Sequence, residues 1–212
     1  MTAKQLSIHA DNPQPRLIKQ VVEVLRDGGV IVYPTDSAYA LGCHIGDKNA
    51  MERIRRIREL DSKHDFTLVC RDLSEIATYA KVGKAHYRLM KSLTPGPYTF
   101  ILQATREVPR RLQNPKRRSI GLRVPDHTIA SHILESLQEP VMSSTLLLPG
   151  DELPMVDPEE MFARLKHQVD LIIDGGFCGI EPTTVLDLVD DEPVVVRQGK
   201  GDLSQFIETQ NH

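Results

Sequence analysis

Short apolar runs alternate with amphipathic helical stretches along nearly the whole chain, and this alternation restricts the fold most. Leu17, Ile18, Val21, Val22, Val24 and Leu25 recur at helical spacing within residues 13–27. Asp11 or Asn12 is placed to cap this helix, and Gly28-Gly29 to end it. The next run, Val30-Ile31-Val32-Tyr33, is continuously apolar, as a strand buried on both faces would be, and it stops at Pro34. Further helices are predicted over 48–60, 72–80, 85–93, 126–137 and 158–167. Further strands are predicted over 66–70, 98–102, 120–124, 141–144, 169–173, 184–188 and 194–197. Some strands follow one another without a helix between them. The pattern therefore predicts a mixed α/β sheet rather than a purely parallel one. A length of 212 residues suits a single domain spanning 1–212, with its core over about 13–205 and a frayed end at Thr209–His212.

Composition narrows the setting. No basic-then-apolar leader opens the chain, and no apolar run reaches the roughly 18 residues of a membrane helix. The three cysteines, Cys43, Cys70 and Cys178, are odd in number and far apart, as expected of reduced, mostly buried thiols in a cytoplasmic protein. Aromatic residues make up 5% and Trp is absent, against a surface built mainly of base-stacking platforms. The net charge of −3 hides a segregation. Residues 53–123 hold 17 Lys and Arg against 6 Asp and Glu, and the remainder holds 9 against 23. A basic middle of this kind either faces a polyanion or is neutralised by the acidic remainder across the fold.

Several segments could carry chemistry. Pro34-Thr35-Asp36-Ser37 follows a buried strand directly, and ligands of open α/β sheets bind beyond strand carboxyl ends. The same composition also makes an ordinary turn. Pro95-Gly96-Pro97-Tyr98-Thr99 reads as a rigid entry into a strand. The hydroxyls of Ser143-Ser144-Thr145 can donate to phosphate oxygens, or can simply mark a strand edge with a turn. Asp174-Gly175-Gly176 and Pro182-Thr183-Thr184 permit close approach of backbone to a ligand. Arg123 and Arg197 each end an apolar strand, where a cation needs a partner. Arg110, Arg111, Lys116, Arg117 and Arg118 read as an exposed, mobile run suited to phosphate contact with RNA. The phosphate-loop, dinucleotide and nucleophile-elbow signatures are missing, and Cys43-His44 lacks the spacing of a zinc site.

Taken in order, these pieces resemble the YrdC/YciO family. The likeness is carried by Gly28-Gly29-Val30-Ile31-Val32-Tyr33-Pro34-Thr35-Asp36-Ser37 with Tyr39 to Gly42, and by Pro95-Gly96-Pro97 with Thr99 and Phe100. Gly121-Leu122-Arg123-Val124-Pro125, Ser143 to Thr145, Asp170 to Gly176, Thr183-Thr184-Val185 and Arg197-Gln198-Gly199 complete it. The resemblance implies a twisted open mixed sheet flanked by helices, with a concave basic face. It implies an enzyme that makes threonylcarbamoyl-adenylate from ATP, L-threonine and bicarbonate for tRNA modification. It also implies double-stranded RNA or tRNA as partner, and ATP with magnesium as substrate rather than any tightly bound cofactor or protein metal site. Matched by position, Thr35 and Ser37 fall near threonine or nucleotide, and Arg123 on the amino-acid carboxylate. Ser143 and Thr145 then face the nucleotide, Thr183 lines the substrate pocket and Arg197 stands on the nucleotide side. Arg58 and Thr145 fall on catalytic positions. Three departures place the chain on the YciO-type branch and point to weak synthase activity. Leu60 replaces a cation, Leu147 an asparagine and Val69 a histidine. The alternatives are an RNA-binding module without chemistry, or an enzyme that removes threonylcarbamoyl groups from tRNA.

Overall fold

The computed structural model describes residues 2–61 and 66–204. Six helices are present among them: α1 (Pro15–Arg26), α2 (Lys48–Arg58), α3 (Leu73–Tyr79), α4 (Lys84–Leu93), α5 (Thr128–Leu137) and α6 (Pro158–Leu165). The strands are β1 (Lys4–Ser7), β2 (Ile31–Tyr33), β3 (Ala40–His44), β4 (Thr67–Val69), β5 (Tyr98–Gln103), β6 (Ser119–Arg123), β7 (Val141–Thr145), β8 (Leu171–Asp174), β9 (Thr184–Asp187) and β10 (Val194–Arg197). They form one open sheet in the order β1-β8-β2-β3-β7-β4-β6-β5-β9-β10. Its pairings are mixed, parallel at β1–β8, β2–β8, β4–β6 and β5–β9 and antiparallel elsewhere. The predicted mixed α/β class is therefore the one adopted.

Four details differ from the sequence reading. β1 lies before residue 13 and pairs with β8, and Ala3, Leu6 and Ile8 are buried, so the core begins earlier than predicted. β3 follows β2 as an antiparallel partner where only a loop motif was read. α1 starts at Pro15 behind Gln14, and its start has no side-chain cap. Asp11 and Asn12 instead give their backbone N–H groups to the His9 ring. Finally, Ser143–Thr145 sits in β7, an interior strand between β3 and β4, and not at a sheet edge. The predicted frayed residues Thr209–His212 lie outside the described residues.

Strand side chains alternate between the two faces of the sheet, and the faces have different fates. One face carries Leu41, Leu68, Phe100, Leu122, Met142 and Leu186 into a large core with Met51 and Ile54 of α2, Ile76 of α3, Met90 of α4 and Met161 of α6. On the other face, α1 and α5 cover only part of the sheet, packing Val21, Val22, Leu25, Ile133 and Leu134 over Ile31, Tyr33, Val69, Val141 and Ile173. No residue of β5, β6 or β9 belongs to this second core. The bare stretch of sheet is the floor of a concavity.

Candidate functional site

That floor and its walls enclose a cavity of about 460 Å³. Alternate residues of adjacent strands face it: Thr67 and Val69 of β4, Ser119, Gly121 and Arg123 of β6, Thr99 and Ile101 of β5, and Ser143 and Thr145 of β7. The loop after β2 brings Thr35 and Ser37, α2 brings Arg58, and β10 brings Arg197. All eight residues assigned to catalysis or to substrate and nucleotide binding, Thr35, Ser37, Arg58, Arg123, Ser143, Thr145, Thr183 and Arg197, line this one cavity. The five residues assigned to RNA lie outside its lining.

The hydroxyl floor is ordered from beneath. The Thr35 hydroxyl donates to the Ala38 carbonyl at 2.6 Å and accepts the N–H groups of Ser37 and Ala38, so the turn is closed by its own side chain. Tyr33 Oη meets Ser143 Oγ at 2.9 Å. Burial pushes the Tyr33 phenol up to about 12, so it stays protonated. Gly42 makes that contact geometrically possible. A Cβ there would stand 2.8 Å from both the Tyr33 ring and Val141. Thr99 Oγ1 and Thr183 Oγ1 are 2.9 Å apart across β5 and the start of β9.

The three arginines differ in how they are neutralised. Arg123 is ion-paired to Asp36, both side chains being only 9% exposed, and gives a second N–H to Ser37 Oγ at 3.1 Å. The other Asp36 oxygen accepts the Asp126 N–H at 2.9 Å, and Arg123 Nε is buried with no partner among the described residues. Among the described residues, Arg58 is held by uncharged groups, through Nε to the Leu147 carbonyl at 2.9 Å and Nη1 to Ser144 Oγ at 2.6 Å. Burial lowers its pKa from the ordinary value. Arg197 is fixed by Nε and Nη2 on the Thr183 carbonyl at 3.0 and 2.9 Å. Among the described residues, no carboxylate pairs with Arg58 or Arg197, and Glu152 is the one acidic residue lining the cavity. Guanidinium groups of this kind can bind an anion bearing several oxygens.

For four participants, sequence named the residue but not its partner. Asp36 lay within the quoted motif, yet its pairing to Arg123 spans 87 residues of sequence. Ser144, Thr99 and Tyr33 became visible only when strand pairing brought them to their partners. Of the substituted positions, Leu147 and Val69 line the cavity, whereas Leu60 packs against the large core. Leu147 offers no polar side chain but positions Arg58 through its main chain. Among the described residues no three His, Cys, Asp or Glu stand together as metal ligands.

The basic run is exposed, and two of its members are tied down rather than loose. Arg111 donates to the Gly46 carbonyl at 2.6 Å, and Arg117 grips the Asp187 carboxylate with both terminal nitrogens. Arg110, Lys116 and Arg118 are exposed. Cys43 and Cys70 are buried free thiols and Cys178 is half-buried. Among the described residues no helix is long and apolar enough to cross a membrane.

Comparison with known proteins gives the arrangement a lineage. Residues 23–199 match the Sua5/YciO/YrdC family, described as telomere recombination. The chain is 62% identical over 200 residues to protein YciO of Escherichia coli (strain K12), covering 94% of this chain and 97% of that protein. The crystal structure of E. coli YciO superposes with a TM-score of 0.92, covering 96% of this chain and 99% of the other. A more distant relative, threonylcarbamoyl-AMP synthase of Pyrococcus abyssi (strain GE5 / Orsay), is 27% identical over 178 residues, which is 82% of this chain and 52% of that protein. By sequence and by fold alike, the chain belongs to the Sua5/YciO/YrdC family.

Proposed function

We propose that the cavity binds a nucleotide of the ATP class, that the basic run carries double-stranded RNA or tRNA, and that threonylcarbamoyl-AMP synthesis is weak. One observation carries the nucleotide reading: eight motif residues from six separate segments converge on a single cavity, and two of its arginines have no carboxylate partner among the described residues. Phosphate oxygens are the natural partners of Arg58 and Arg197, with the hydroxyls of Ser143, Thr145 and Thr183 as further donors. Magnesium would enter on the phosphates, as part of the substrate. Adenylyl transfer builds charge at the α-phosphate, and losing one preorganised donor there costs roughly 3 kcal/mol, about a hundredfold in rate. Leu147 and Leu60 leave the site short of such donors, which supports binding over efficient turnover.

Isothermal titration tests the binding. ATP binds the wild type, and Arg58→Ala weakens it about tenfold or more, the cost of one charge-assisted hydrogen bond. An unchanged affinity in Arg58→Ala, or no heat with the wild type, refutes the cavity as a nucleotide site. Pyrophosphate release with ATP, L-threonine and bicarbonate is expected to be slow. A rate matching that of the P. abyssi synthase overturns the weak-activity reading.

A further inference from the structure

β10 ends the sheet, and among the described residues no strand pairs with its outer edge. Edge strands are usually blunted by charged or polar residues, because their free N–H and C=O groups can take up another strand. The opposite edge follows that rule. β1 reads Lys-Gln-Leu-Ser, with Leu6 its one buried side chain. β10 does not follow it. It reads Val194-Val195-Val196-Arg197, and the three valines are 57%, 39% and 56% exposed. None of them belongs to either core. Three successive apolar side chains held in water on an open edge stabilise nothing within the chain itself, and they suit the addition of a further strand.

The charges on either side of the valines select the strand that fits. Ahead of them run Asp190, Asp191 and Glu192, all exposed. Arg117 comes within 4.0 Å of Asp190, but the Asp187 carboxylate already grips that guanidinium, so this end keeps a net negative charge. Behind the valines stand Arg197 and Lys200. Arg197 donates to Thr183 and Lys200 to the Asp36 carbonyl, and neither pairs with a carboxylate among the described residues. Asp202 follows, its carboxylate bonded to Ser204, and leaves this end basic by one charge. The edge is therefore acidic before its apolar centre and basic after it. An antiparallel copy of the same edge sets valines on valines and each acidic end beside the other copy's basic end. A parallel copy would set like charges together.

We propose that β10 is the twofold interface of a homodimer, in which a second copy of this chain adds its own β10 antiparallel and joins the two sheets into one. Pro193 has no N–H to give ahead of the strand, and the register with β9 shifts between Val195 and Arg197. Pairing is thereby confined to a short stretch, and the dimer is reversible. Arg197 also lines the cavity, so the twofold axis runs beside it and brings the two cavities to one flank of the dimer.

Sedimentation velocity across a concentration series tests this, with far-UV circular dichroism as the check on folding. The wild type should pass reversibly from monomer to dimer, with no larger species. Val195→Lys puts a charge on the edge of both copies and should raise the dissociation constant about tenfold or more. Asp191→Lys combined with Glu192→Lys changes exposed positions outside both cores and should do the same by setting like charges together. A wild type that stays monomeric at every concentration overturns the proposal. A dimer that keeps its wild-type affinity in either folded variant overturns it as well, because the interface then lies elsewhere. A series of growing oligomers also rejects it, since a closed twofold contact makes none. No outcome depends on nucleotide or RNA binding.

Discussion

Arg123 matters to the fold as well as to the cavity, because it and Asp36 are buried as a pair. Removing one partner of a buried ion pair typically costs about 3–5 kcal/mol, since the other charge is left without compensation. Arg123→Leu should lose stability of that order in urea denaturation. Asp36→Asn combined with Arg123→Leu should recover much of it, because the amide oxygen still accepts the Asp126 N–H. Additive losses would show that the pair is not the source. That Arg123 needs a partner was legible from its place at the end of an apolar strand. The partner's identity was not, because a sequence separation of 87 residues hides it. A neighbouring residue adds a pH effect. His127 Nδ1 is buried and has no hydrogen-bond partner among the described residues, and burial lowers its pKa against the opposing pull of Asp36 and Asp126. The folded state therefore binds the proton less readily than the unfolded chain. Its stability is full above the unfolded value of about 6.5, and falls as the pH drops through that value toward the folded pKa. His127→Gln should flatten the melting temperature against pH across this window. An identical acid slope in the variant would assign the effect to another group.

At the scale of elements, the helices and the apolar strands were legible because each shows its own period without help from elsewhere. β1 and β3 were not. β1 is four residues long with a single buried side chain, and its strand character comes from pairing with β8. β3 reads Ala-Leu-Gly-Cys-His, a run whose glycine looks like a loop residue until the neighbouring strand is in place. Gly42 is there because the Tyr33 ring and Val141 leave no room for a Cβ at 2.8 Å. Gly42→Ala should therefore force β2 and β7 apart or displace the Tyr33 ring from Ser143. The expected cost is about 1–3 kcal/mol, typical of overpacking a close-packed interior, read from the melting temperature. A stability equal to wild type would mean that the Tyr33 ring moves aside without penalty. The same local blindness explains the hydroxyl cluster. Ser143-Ser144-Thr145 looks like a polar strand end in isolation, but as the interior strand between β3 and β4 it supplies the cavity floor and the anchor for Arg58.

At the scale of the whole molecule, the segregated charge is only partly spent inside the fold. Arg53 pairs with Asp170, Arg117 with Asp187 and Arg123 with Asp36, so several cations of the basic middle are matched by the acidic remainder. The neutralising reading of the charge pattern is therefore realised by these three pairs. Sequence could count the charges but could not sort them, because each of these pairs forms across the sheet. Lys116 and Arg118 are exposed and enter no ion pair among the described residues. This sorting fixes how salt should act on RNA binding. Each unpaired cation that meets a phosphate releases counterions, and its loss should lower the slope of log affinity against log salt by roughly 1. Lys116→Ala and Arg118→Ala should each show that decrease, with ATP affinity unchanged because neither residue lines the cavity. Arg117→Ala should lower the slope by less, since Asp187 already neutralises that guanidinium and its removal leaves a carboxylate facing the RNA. Equal decreases at all three positions would mean that RNA displaces Asp187 on binding. No decrease at Lys116 or Arg118 would put the RNA on a different face of the protein.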